Sequence, residues 1–322
     1  MRRRPSTSLW NRSLPSTLQL HLPWRFRWPL GLMMARMTTS NTDAQANPTR
    51  RICKAYNITG GLIPYQNAWV WQQRLLRERM AWQREVPCTA GHDVLLLLEH
   101  RSVYTLGRGS SMDNIRFDTR SSTCSHEVRR TERGGEVTWH GPGQIVGYPV
   151  LDLNYHKKDL HWYLRQLEEV IIQVLAKHGL QGEREKEHTG VWVNGAKVAA
   201  IGLNASRWIT THGLSVNVVP DLTAFDSIVP CGIHDRQVTR LCDVVPASCA
   251  SHSNTEAEHM KRARADILDA FESVFDLGMD VRHLDAGTVD LDAELFPLAC
   301  DRALLDRLEE ESRKQLEHER RR

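Results

Sequence analysis

The chain has 322 residues, 41% hydrophobic and 25% charged, enough for one large domain or two small ones around a sizeable core. Its formal charge of +3 is uneven: residues 1–42 carry seven arginines and no lysine, aspartate or glutamate. The 42 basic residues less those seven leave 35 against 39 acidic ones, a mildly acidic body that argues against a general nucleic-acid binder.

Residues 1–42 are rich in Arg and Ser and studded with Leu9, Leu14, Leu18 and Leu20, the composition of an organelle transit peptide. The alternative is a later start at Met33, Met34 or Met37. Arg25, Arg27 and several prolines interrupt the apolar runs, so neither a signal-peptide core nor a membrane span fits, and no later segment reaches spanning length. Residues 43–51 read as a linker. The body is expected to be one domain over 52–285, followed by an extension over 286–322 whose charged end is solvated or disordered.

In chain order, residues 52–58 read as a strand broken by Gly60-Gly61, and a helix is expected from Pro64 to Arg84. The run VLLLL (94–98) reads as a buried strand, and the polar stretch 109–128 as a loop. Residues 137–153 mix strand-like stretches with a glycine-proline core. Leu160, Leu164, Leu167, Ile171 and Leu175 recur at helical spacing, with Asp159 as N-cap and Gly179 as the stop. Asn194-Gly195 between β-branched runs satisfies the positive φ angles of a type I′ turn, so a hairpin is expected with Lys197 just past its tip. GLSVNVV is another strand, and a helix carrying Ile267, Phe271, Val274 and Phe275 is expected to end at Gly278. Helices and hairpins alternate without a dominant βαβ repeat, so the class is α+β.

Seven cysteines (53, 88, 124, 231, 242, 249 and 300), odd in number and without CxxC pairs, argue against a disulfide framework or structural zinc. A reducing compartment follows: the mitochondrial matrix, or alternatively a plastid stroma.

Three glycine-punctuated segments carry candidate chemistry. In Arg133-Gly134-Gly135-Glu136-Val137-Thr138-Trp139-His140-Gly141-Pro142-Gly143, the glycines allow close backbone approach to a ligand, and Arg133 is placed to meet a phosphate or carboxylate. The alternative is a tight loop with no ligand, and no GK[ST] follows to make a P-loop. Lys197 precedes the apolar strand Val198-Ala199-Ala200-Ile201-Gly202, where partial desolvation would make it a usable base. Nearby, His212 before Gly213-Leu214-Ser215 reads by itself as a structural histidine. Pro230-Cys231-Gly232 holds a cysteine in a restricted, accessible loop, the setting of a nucleophile needing a cationic neighbour. Taken alone, Cys231 would pass as an inert buried cysteine.

Together the segments resemble the lipoyl(octanoyl) transferase family. The matching stretches are RGGEVTWHGPGQIVGYPVLDL, LHWYLRQLE, GVWVNGAKVAAIGL, THGLSVNV and FDSIVPCGIHDRQVTRL, collinear over 52–275. The resemblance implies a mixed β-sheet flanked by helices, like that of biotin and lipoate protein ligases. It puts the nucleophile at Cys231, the activating group at Lys197, and acyl binding at residues 133–140, Ala200, Ile201, Gly202, Gly213, Leu214 and Ser215. It implies an octanoyl-acyl carrier protein as donor, with no cofactor or metal. The implied acceptors are lipoyl domains of 2-oxoacid dehydrogenase complexes and the glycine cleavage H protein. Trp139 and the pair Asn204-Ala205 depart from the family's usual tyrosine and more basic pair. Backbone N–H groups around Cys231 or in the glycine-rich loops are candidate donors to the oxyanion. The competing readings are an ATP-dependent lipoate or biotin ligase, which needs no nucleophilic cysteine, and a non-catalytic module holding carrier or lipoyl domains. A zinc site of His212, Cys231 and Cys242 lacks compact ligand spacing.

Overall fold

The computed structural model describes residues 50–85, 93–119, 126–233, 236–246 and 255–296, together with Glu310 and Lys314. The transit-peptide reading, most of the linker and, those two residues apart, the tail beyond 296 lie outside the described residues. The elements run β1 (Arg51–Thr59), α1 (Tyr65–Glu85), β2 (Asp93–Leu98), β3 (Val103–Leu106), β4 (Val128–Arg130), β5 (Thr138–His140), β6 (Gln144–Val150) and α2 (Leu160–Lys177). They continue β7 (Val191–Val193), β8 (Ala196–Ser206), β9 (Ile209–Asn217), α3 (Leu241–Val244), α4 (Glu256–Phe275), β10 (Leu277–Asp285) and α5 (Leu291–Leu295).

Seven strands form a mixed sheet in the order β10-β1-β2-β6-β9-β8-β7, and β4-β3-β5 form a small second sheet. In the large sheet β1 runs parallel to both its neighbours, while the remaining pairs are antiparallel. This is the expected α+β arrangement. The leucine run of β2 is central and buried on both faces, and its period of two divides it between two cores. Leu95 and Leu97 join the α2 and α4 side with Leu167, Ile171, Ile267 and Phe271. Leu96 and Leu98 join the α1 side with Ala68, Trp71 and Leu75. A third cluster of Tyr104, Leu106, Val137, Trp139, Phe225 and Ile228 seats the small sheet against the segment leading to Cys231.

Several local signals act as expected. The Asp159 carboxylate accepts from the Trp162 backbone N–H at 3.0 Å and starts α2. Asn194 and Gly195 have φ of 51° and 77°, and their turn joins β7 to β8. Others differ. α4 ends at Phe275, not at Gly278, because Asp276 itself takes the left-handed conformation, which a short polar side chain tolerates. Gly278 instead belongs to β10, an edge strand that has no counterpart in the sequence reading. Among its described residues, the polar stretch 109–128 contains one 3₁₀ turn at Met112–Asn114, and it ends at the start of β4. Residues 286–296, read as the start of an extension, pack on α1: Asp292 accepts from Trp71 Nε1 at 2.6 Å, and Arg74 lies 3.7 Å over the Phe296 ring. No helix among the described residues is long and apolar enough to cross a membrane.

Candidate active site

Lys197 is the second residue of β8, two positions past the turn, and is buried. Cys231 sits in a one-turn segment, Pro230–Gly232, with φ 57° and ψ 19°. Two successive residues at positive φ, Cys231 and Gly232, turn the chain sharply at the thiol. The Cys231 backbone N–H donates to Val137 O at 2.8 Å, tying this turn to the glycine-rich segment. Just beyond it the chain pairs with Lys197 itself: the Lys197 N–H donates to Gln237 O, and the Thr239 N–H donates to Lys197 O. Those bonds bring together residues 34 positions apart, and Lys197 Nζ donates to Cys231 Sγ at 3.2 Å.

Gly190, before β7, makes room for this contact. Its φ is +131°, and a Cβ there would lie 2.5 Å from Lys197 Cε and 2.6 Å from Ala199 O. Its N–H donates to the buried Glu168 carboxylate of α2. In the sequence Gly190 is the first residue of the matching stretch GVWVNGAKVAAIGL, where no role was assigned to it. The other two described free cysteines are in unlike settings. Burial pushes the Cys53 thiol well up, and burial with Asp243 alongside pushes Cys242 up to about 11.

A cleft of about 220 Å³ opens beside the thiol. Its floor is the β6-β9-β8 stretch of the large sheet, presenting Val146, Gly213, Ser215, Ala200 and Gly202. Its opposite wall is the segment 133–140. Of the sequence-predicted binding residues, Arg133, Gly135, Glu136, Thr138, His140, Ala200, Ile201, Gly202, Gly213, Leu214 and Ser215 line it with Lys197 and Cys231. Gly134, Val137 and Trp139 do not. Strand alternation turns Val137 and Trp139 into the third core, where the Trp139 indole donates to Ser102 Oγ at 2.9 Å, and the Gly134 N–H is spent on Leu203 O.

Arg133 differs from its expected role. Its Nη2 donates to Thr105 O, Thr105 Oγ1 and Glu136 O, and its Nη1 donates to Gly134 O, so the guanidinium ties the glycine-rich segment to β3. The oxyanion expectation changes as well. The N–H groups of Cys231, Gly232 and Ile233 are all committed, to Val137 O, Val229 O and Pro230 O. A thioester oxyanion must therefore find its donors elsewhere in the cleft.

Sequence reasoning missed Tyr65 and Tyr148 as lining residues, and it read His212 as structural. The His140 imidazole hydrogen-bonds Gln144 Oε1 at 2.6 Å, and burial beside His100 holds it neutral down to about 3. His100, engaged by Tyr148 Oη at 2.7 Å, is likewise depressed to about 4 by burial.

The lipoyl protein ligase A/B catalytic domain model matches residues 64–264. A Nostoc octanoyltransferase is 49% identical over 230 residues, covering 71% of this chain and 95% of its own length. The chloroplastic octanoyltransferase LIP2p2 of Arabidopsis thaliana is 43% identical over 251 residues, covering 76% and 87%. Among solved structures, a bipartite lipoate protein ligase from Thermoplasma acidophilum superposes with TM-score 0.57 at 13% identity, covering 81% and 92%. A lipoate-protein ligase A bound with ATP superposes with TM-score 0.56 at 14% identity, covering 81% and 94%. At such identities these two show a shared fold.

Proposed function

From the premise that the chain belongs to the lipoyl protein ligase A/B catalytic domain family, we propose that it is an octanoyltransferase working through a thioester on Cys231. The observation that carries the mechanism is the 3.2 Å contact between Lys197 Nζ and Cys231 Sγ in the wall of the cleft. A lone thiol is only a few per cent ionised at pH 7, and a neighbouring amine both takes its proton and stabilises the thiolate that results. The Cys231 thiolate attacks the carbonyl carbon of an octanoyl thioester on acyl carrier protein. The carrier's C–S bond breaks, and its sulfur leaves with the proton held by Lys197. The ε-amine of a lipoyl-domain lysine then attacks the acyl-enzyme and gives its proton to Lys197. An amide forms, and the Cys231–acyl bond breaks. Thioester to amide is downhill, so no ATP enters.

The cleft-lining residues from Arg133 to Ser215 hold the acyl chain in this reading. The similarity to cyanobacterial relatives and to a chloroplastic one favours a plastid stroma over the mitochondrial matrix, with residues 1–42 as the transit peptide. Import of a fluorescent protein fused behind those residues, into plastids or into mitochondria, decides between them.

The test of the mechanism is intact mass after incubation with octanoyl carrier protein, without ATP. Wild type gains one octanoyl group and Cys231→Ala gains none. An adduct that persists in Cys231→Ala removes that residue from the mechanism. A Lys197→Ala variant with an unchanged rate removes the lysine, and a strict need for ATP and free octanoate returns the chain to the ligase reading.

A further inference from the structure

Two polar atoms of cleft-lining side chains take no part in the transfer steps written above. Tyr65 Oη and His212 Nε2 belong to lining side chains only 4% and 3% exposed, and neither has a hydrogen-bond partner. The nearest carboxylate oxygen to His212 Nε2, on Glu132, is 3.9 Å away, beyond hydrogen-bond reach. Both side chains are held in place. His212 has φ 59° within β9, and its backbone N–H donates to Gln72 Oε1 of α1 at 2.7 Å. The Tyr65 ring packs 5.4 Å from His100, whose two ring nitrogens are already engaged by Ile63 O and Tyr148 Oη. Buried polar atoms left in this condition are costly and uncommon, so their presence in a ligand cleft has a bearing on what the cleft accepts.

The register of β8 and β9 gives their position. Ser215, opposite Ala200, belongs with Cys231 to a small recess at the thiol end of the cleft. Gly213 lies opposite Gly202, and His212 opposite Leu203. At about 3.4 Å per residue, His212 is roughly 10 Å beyond Ser215 along the strand. An all-staggered octanoyl chain has seven carbon–carbon bonds of about 1.5 Å and spans roughly 9 Å from carbonyl to methyl. A chain laid along β9 from Ser215 brings its terminal methyl to His212, and Tyr65 lines the same cleft. Any further methylene lies against two stranded polar atoms.

We propose that Tyr65 and His212 form a polar end-stop to the acyl cleft, one that limits the chain to about eight carbons and favours a hydrogen-bonding group beyond that point. The proposal rests on the acyl-transfer reading above.

The experiment measures kcat/KM of the full chain with octanoyl, decanoyl and 8-hydroxyoctanoyl thioesters of the carrier protein, and reads ratios between them. Tyr65→Phe keeps the ring and removes only the hydroxyl. His212→Asn keeps a residue type that tolerates positive φ. In each variant the decanoyl-to-octanoyl ratio is expected to rise about tenfold, and the 8-hydroxyoctanoyl-to-decanoyl ratio to fall by a similar factor. Ratios equal to wild type in both variants overturn the end-stop while leaving octanoyl transfer intact. A wild-type chain that transfers none of the three overturns the underlying reading and the end-stop with it.

Discussion

Gly190→Ala removes no functional group, yet it is predicted to disable the site. The new methyl would lie 2.5 Å from Lys197 Cε, 2.6 Å from Ala199 O and 3.2 Å from Lys197 Nζ. Ala199 O belongs to the β8 backbone and yields only if the strand moves, so the lysine side chain has to give way. Restoring carbon–carbon contact to about 3.5 Å displaces Lys197 by about 1 Å from a position now 3.2 Å from the thiol. Misplacing a reacting group by that much costs roughly 100-fold in rate, about 2.7 kcal/mol of activation free energy. Forcing alanine to φ +131° adds about 1–3 kcal/mol of backbone strain to the folded state. The assay is octanoyl transfer by intact mass under single-turnover conditions, run for Gly190→Ala, Lys197→Ala and the double variant. With no lysine left to displace, the glycine substitution should cost activity little more, so the two losses should not add. A folded Gly190→Ala chain with the wild-type rate would refute the reasoning. So would an equal additional loss in the Lys197→Ala background.

Other consequences are directly measurable. Arg133→Lys cannot reproduce the planar fork that bonds Thr105, Gly134 and Glu136, and should lower stability by about 2–4 kcal/mol in urea unfolding; a loss below about 0.5 kcal/mol counts against its organising role. Asp159→Ala removes the cap of α2 and should cost about 1 kcal/mol by the same measurement. His140 and His100 are held at about 3 and about 4, whereas the unfolded chain protonates histidine near 6.5. The unfolded state thus binds more protons below about pH 6.5. Stability should be full above that value and fall on acidification towards pH 4, by up to roughly 2–3 kcal/mol per pH unit for the pair. A melting temperature independent of pH between 6.5 and 4.5 would show that these imidazoles are not buried neutral.

Much of the local architecture was legible in the sequence because its causes are local. An Asn-Gly pair demands a tight turn, Asp159 meets N–H groups within three residues of it, and a period of three or four marks α2 whatever surrounds it. Five collinear motifs also gave the mixed α+β sheet and the identities of Cys231 and Lys197. Where β10 pairs was hidden, because its edge position beside β1 depends on a strand more than 200 residues away. So was the division of the segment 133–140 between cleft and core. Which side of β5 faces the cleft is set by its pairing with β3, and that pairing turns Thr138 and His140 inward and Val137 and Trp139 away.

The sequence by itself determined the reactive pair as residue types in favourable local settings: a cysteine between proline and glycine, and a lysine beside a hairpin tip. Only the tertiary structure decided that they touch, since the contact depends on residues 237 and 239 pairing with Lys197 and on a side-chain-free position at Gly190. It also decided that the N–H groups around the thiol are already taken and that two buried polar atoms of cleft-lining side chains have no hydrogen-bond partner. The physical reason is range. Turn, cap and periodicity preferences act over a few residues, whereas a 3.2 Å contact between positions 34 apart is the outcome of strand register and packing across the whole sheet.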